Sequence, residues 1–100
     1  MRKYDLSRAA DRDLDDIYVY TFRQFGALQA DVYFESLEEC FGKLAENPAL
    51  GVDASNVRAG YRRFVHQRHT LYYKRAKTRV RIIRVLGPGM SVERSMGKDR

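Results

Sequence analysis

Arg79-Val80-Arg81-Ile82-Ile83-Arg84-Val85-Leu86 is the stretch on which the fold turns. Residues 82–86 are nearly continuously apolar, as expected of a strand that is covered on both sides or placed centrally in a sheet. Gly87-Pro88-Gly89 then breaks it. Two earlier segments, Tyr61 to His66 and His69 to Arg75, are also rich in aromatic and β-branched residues, and turn-length gaps separate all three. They read as consecutive antiparallel strands. Residues 49–58 read as a loop.

Before Pro48 the period changes from two to three and four. Ala10, Leu14, Ile17, Tyr18 and Phe25, with Thr21 between, describe one buried helical stripe, and Ser7 is placed to cap its start. Asp11, Asp13, Asp15 and Asp16 suit the positive end of that helix as a solvated first stretch; at i, i+2 spacing they point apart and do not form a metal cluster. Gly26 suits a cap between helices. Ala30, Tyr33, Phe34, Leu37, Phe41 and Leu44 repeat the pattern until Asn47-Pro48 stops it. Two helices joined this tightly pack as an antiparallel hairpin. With a short strand at residues 3–6 the order is β-α-α-β-β-β: an α+β fold with a helical hairpin packed on one face of a small twisted antiparallel sheet. The other face has no predicted cover. Residues 88–100 are expected to be a short helix or a flexible tail of the same single domain, 1–100.

Charge divides along the chain. Residues 1–50 hold six Lys and Arg against ten Asp and Glu, whereas residues 51–100 hold thirteen against three. The net charge of +6 is thus about −4 followed by about +10 on the strand half, which implies a basic surface and an acidic partner. The arginines at 62, 63, 75, 79, 81 and 84 are expected on the uncovered sheet face. Cys40 is the only cysteine, so no internal disulfide forms, and with His66 and His69 the only histidines there is no zinc-ligand spacing. Cys40 reads as a small buried hydrophobe. No run of apolar residues approaches a membrane span, and no apolar stretch follows Met1-Arg2-Lys3, which points to the cytoplasm.

Several short patterns stand in a fixed order. They are Leu6-Ser7-x-x-Ala10-x-x-Asp13-Leu14-x-x-Ile17, Phe25-Gly26 with Ala30 and Tyr33, and Leu44-Ala45-x-Asn47-Pro48-x-x-Gly51. Arg58-x-Gly60-Tyr61-Arg62-Arg63-Phe64, His69-x-Leu71-Tyr72-Tyr73 and Ile82-Ile83-Arg84-Val85-Leu86 follow. The ordered set resembles the ParE branch of the RelE/ParE toxins of bacterial toxin-antitoxin pairs, over nearly the whole chain. The resemblance implies a toxin that poisons DNA gyrase and is neutralised by a ParD-like antitoxin whose C-terminal segment wraps it. It also implies no cofactor, and contact with nucleic acid only indirectly, through gyrase or the antitoxin. One departure is clear: many members follow the last strand with a His, basic residues and an Asp, where this chain has Gly87-Pro88-Gly89-Met90-Ser91.

The sibling RelE branch cuts messenger RNA, and such chemistry needs cations on the phosphate and a proton-transfer group. Where those nucleases carry an Arg on the middle strand this chain has Thr70; where they have an Arg after the last strand it has the Gly87-Pro88-Gly89 stretch; where they end in Tyr it has Met96. A nuclease here would have to use His66, His69, Tyr72 or Tyr73 beside the arginines. The histidines read instead as surface or packing residues, and the strand aromatics as core. The expectation is a binding toxin rather than an enzyme. A RelE-like ribosome-dependent nuclease and an inactive toxin-like interaction module are the alternatives. From charge and exposure, Tyr18, Phe22, Tyr61, Arg63 and Arg58 are the candidate antitoxin contacts, and Arg79, Arg81, Arg84, Met90 and Arg94 the candidate target contacts.

Overall fold

The computed structural model describes residues 3–96. Strand β1 (Tyr4–Leu6) leads into helix α1 (Arg8–Phe25), and helix α2 (Ala27–Glu46) follows. The Ser7 hydroxyl accepts from the Ala10 N–H at 2.9 Å, a cap worth about 1 kcal/mol. Only Gly26 separates the two helices, at φ 91°, in a region that side chains with a Cβ rarely adopt. Its N–H closes the first helix on the Phe22 carbonyl at 2.8 Å. After a 3-10 turn at Pro48–Leu50 come β2 (Val52–Asp53), β3 (Arg62–His66), β4 (His69–Ala76), β5 (Arg79–Leu86) and helix α3 (Val92–Met96). The expected tail is therefore helical over α3; residues 97–100 lie outside the described residues.

The five strands are ordered β1-β5-β4-β3-β2. β1 pairs with β5 in parallel while the other pairs are antiparallel, so the sheet is mixed rather than wholly antiparallel. The loop expected over 49–58 contains the short edge strand β2. The helices cover one face. Leu37, Phe41, Leu44, Leu71, Tyr73, Val80, Ile82 and Val85 interlock there with Ala10 and Leu14, each large side chain contributing roughly 1.5–3 kcal/mol by burial. Cys40 is buried with them, and burial pushes its thiol up.

The opposite face is not bare, which corrects the expectation. Ala54, Tyr61, Tyr72, Ile83 and Leu86 form a second buried cluster, joined by Val57 from the 54–61 loop and Val92 from α3. A bulge produces it: Tyr72 pairs with Arg84 but Tyr73 with Ile82, leaving Ile83 as an extra residue in β5. The bulge breaks the strict alternation of the strand. Val85 consequently joins Val80 and Ile82 under the helices, while Ile83 and Leu86 go to the second cluster. The apolar run 82–86 is thus explained on both counts, since β5 is central in the sheet and its second half is covered on both faces.

Gly51 is required by a close approach. Its N–H donates to the Tyr73 hydroxyl at 2.8 Å, and that hydroxyl donates to the Pro48 carbonyl at 2.7 Å. A Cβ at Gly51 would collide with the same hydroxyl and with the Arg63 carbonyl. Among the described residues no helix is long and apolar enough to cross a membrane.

Candidate functional site

β1 ends opposite Ile82, so the edge of β5 beyond it needs other partners. Ser7 donates its N–H to the Ile82 carbonyl at 2.9 Å and its hydroxyl to the Ile83 carbonyl at 2.6 Å. Asp13 then accepts from the Val85 N–H at 2.9 Å and takes Arg84 bidentately, Nε and Nη2 each at 2.8 Å. The remaining Arg84 nitrogen, Nη1, donates to the Ser95 carbonyl at 2.6 Å, so one buried ion pair ties α1, β5 and α3 together. Asp13 is therefore not part of a solvated acidic turn.

The far end of the helical hairpin is apolar and open. Val19, Tyr20, Phe22, Phe25, Leu28 and Val32 are all exposed, Phe25 at 62% and Leu28 at 79%. Phe25 was expected in the buried stripe, but the last turn of α1 runs beyond the sheet that would cover it. Tyr20 and Phe25 border a groove while Val19 and Phe22 point to other sides of α1, so the exposed apolar residues ring the end of the helical hairpin, and exposure on this scale marks a partner surface. The groove, of about 640 Å³, has Ile17, Tyr20 and Phe25 on one side and His69, Pro88 and Met90 on the other. Gly87-Pro88-Gly89-Met90 forms its rim: Met90 N–H donates to the Gly87 carbonyl at 3.3 Å and Gly89 has φ 81°, the geometry of a Pro-Gly type II turn.

Both histidines are fixed against α2. The Tyr33 hydroxyl and His69 Nδ1 share a hydrogen bond of 2.6 Å, and the Tyr33 ring lies against both imidazoles. Ser36 gives its proton to the Tyr33 carbonyl at 2.6 Å, so His66 Nε2, at 3.0 Å, must donate to the Ser36 oxygen. Burial holds both imidazoles below their ordinary range, helped by Lys43 near His66 and by His66 and Arg68 near His69. Burial likewise pushes the Tyr33 phenol up. At neutral pH these groups are uncharged, His69 bonded to Tyr33 and His66 to Ser36, a packing arrangement that seats the β3–β4 turn on the helices. Among the described residues no group of three or more His, Cys, Asp or Glu stands together to hold a metal.

At the other end of the sheet the surface is cationic. Lys74 pairs with Arg81 and Ala76 with Arg79 across β4 and β5, which places their side chains on the same face. Lys77 is exposed at the turn beside them, whereas Arg75, opposite Val80, and Arg62, opposite Tyr73, lie on the helix-side face and not on the uncovered one where both were expected. Asp5 takes Arg79 at 2.7 Å.

A family profile described as ParE toxin of type II toxin-antitoxin system, parDE, matches residues 4–91. The chain belongs to the ParE toxin family. It is 41% identical over 97 residues to Toxin ParE1 of Caulobacter vibrioides, covering 97% of this chain and 100% of that one. It is 33% identical over 95 residues to Toxin ParE1 of Mycobacterium tuberculosis, covering 94% and 97%. A structure titled Chromosomal ParDE TA system from P. aeruginosa superposes with a TM-score of 0.74 over 87% of this chain and 96% of that one, at 19% identity, and so shares the fold.

On this ParE scaffold the predicted contacts separate. Phe22 is exposed at the hairpin, next to Tyr18, which is half-buried because its hydroxyl donates to Asp31 at 2.6 Å and its ring meets Phe34. Tyr61 is only 5% exposed, inside the second cluster, so it supports the sheet and offers no surface. Arg58 and Arg63 lie on the loop and strand of the opposite face, away from Phe22. Arg62 is committed to the Gly51 carbonyl at 2.6 Å. Of the predicted target set, Arg79 and Arg81 share the cationic strip, Met90 stands at the groove rim, Arg94 is exposed on α3, and Arg84 is internal. Lys74, Arg75 and Lys77 were not singled out as contacts. Five cations within residues 74–81 were the signal available.

Proposed function

We propose that this ParE-family toxin acts by binding, inhibiting or poisoning DNA gyrase, and that a ParD-like antitoxin silences it by covering its surface. The observation that carries the reading is the separation of two unlike surfaces: apolar rings and a groove at the hairpin end, and cations at the β4–β5 end. An amphipathic antitoxin segment suits the first, with Tyr20, Phe22, Phe25 and Leu28 as anchors. If that segment wraps the sheet edge, its acidic residues reach Arg58 and Arg63. The target takes the second surface, through Lys74 and Arg81, while Met90 stands at the groove rim with the apolar end. The names of the Caulobacter and mycobacterial relatives support the toxin role.

The test is a supercoiling assay with purified gyrase, relaxed plasmid and the isolated protein, followed by denaturation to reveal trapped breaks. Inhibition with linear DNA, relieved by a ParD-like antitoxin, is the expected result. A folded protein that leaves gyrase untouched but cleaves ribosome-bound message would replace this reading with a nuclease.

A further inference from the structure

Residues 74–81 read Lys-Arg-Ala-Lys-Thr-Arg-Val-Arg, five cations in eight positions. The hairpin between β4 and β5 gathers four of them: register sets Lys74 beside Arg81 and Ala76 beside Arg79 on one face, and the two-residue turn Lys77-Thr78 adds Lys77, while Arg75, paired with Val80, lies on the other face. Among the described residues no carboxylate pairs with Lys74, Arg75, Lys77 or Arg81; only Arg79 is neutralised, by Asp5. Lys77 has φ 55°, where a side chain costs about 1 kcal/mol and glycine would not. A lysine thus stands where backbone energy favours Gly or Asn.

We infer that this strip binds the phosphate backbone of duplex DNA directly, deepening the gyrase reading on which it rests: the toxin would grip the DNA segment that gyrase handles. The composition of the strip selects this occupant. A bound peptide draws its affinity from buried aromatic or aliphatic anchors, and the exposed large apolar residues lie elsewhere, on the hairpin, at residues 50, 52 and 65, and at Met90. Phosphate contacts need only cations, since affinity comes from counterion release. Asp5 then acts as a built-in brake, holding Arg79, one of the strip's four cations, out of the contact.

Fluorescence anisotropy of a labelled duplex of about 20 bp, titrated with the full chain between about 50 and 200 mM salt, tests this. Each contact contributes about −0.9 to the slope of log K against log salt, or about eightfold in affinity at 0.1 M salt if contacts cancel near 1 M. Lys74→Ala with Arg81→Ala should flatten the slope by about 1.8 and weaken binding about 60-fold. Asp5→Asn, by releasing Arg79, should steepen the slope by about 0.9 and tighten binding about eightfold. Lys77→Gly, which removes one cation at the turn and should flatten the slope by about 0.9, replaces the pair should it fail to fold by circular dichroism. Slopes indifferent to these changes, or no binding at the lowest salt, overturn the inference. So does equal competition by polyglutamate at matched charge. Gyrase inhibition assayed on the same variants separates the two readings. Inhibition that survives loss of DNA binding sinks the DNA contact and spares gyrase as target; DNA binding with the expected slopes but no inhibition does the reverse.

Discussion

Asp13 meets Arg84 at 2.8 Å and Asp5 meets Arg79 at 2.7 Å, and both pairs join the N-terminal part of the chain to β5. In the first the side chains are 9% and 12% exposed; in the second, 46% and 40%. Distance alone would rank them equal. Burial separates them, because water screens the exposed pair while the buried pair has only its own hydrogen bonds to replace solvation. Asp13 also caps the Val85 N–H, and Arg84 also holds the Ser95 carbonyl. The buried pair is architectural and fixes α3, whereas the exposed pair lies at the sheet surface and offsets one cation of the β4–β5 strip.

The most damaging way to probe that contrast is Arg84→Ala. It leaves a buried carboxylate with one partner fewer and frees α3, and should cost about 3–5 kcal/mol in urea unfolding. High salt should not reduce the loss. Arg84→Lys keeps the charge but not the planar fork, so about 1–3 kcal/mol should still be lost, with faster amide exchange at Ser95. An alanine variant as stable as the parent would mean that the pair is dispensable.

These two pairs also mark what could be read in advance. Both helices and strands β3 to β5 were legible, since each repeats its apolar residues over several turns or pleats. The parallel pairing of β1 and the two-residue β2 were not, because three and two residues carry no period of their own. Asp13 sits in a run of similar aspartates, and nothing local distinguishes the one that meets β5. Arg84 looks like Arg79 and Arg81 until the bulge at Ile83 interrupts the alternation. Tyr61 is core, as the strand aromatics were read, but it was also placed among the antitoxin contacts because its cover, Val57 and Val92, comes from segments without periodicity. Phe22 was found because it falls off the three-and-four stripe of α1, and the cationic half because charge density is a property of composition.

A middle-sized effect should come with pH. His66 and His69 titrate below 6.5 in the fold because burial disfavours their charged forms, so the unfolded chain takes up protons first as pH falls. Stability is then full above about pH 6.5 and declines below it. Unfolding midpoints that rise on acidification would contradict the packing assigned to these rings. Arg79→Ala should have the smallest effect on stability, about 0.2–1 kcal/mol, shrinking further in salt. A larger cost would erase the distinction between the pairs.

The separation of surfaces is tested most directly by assaying gyrase supercoiling with two variants side by side, each with and without a ParD-like antitoxin. Phe22→Glu should still trap broken DNA but escape the antitoxin, whereas Lys74→Ala with Arg81→Ala should lose inhibition yet bind the antitoxin as the parent does. Loss of both properties in either folded variant would contradict the division of this toxin into an antitoxin end and a target end.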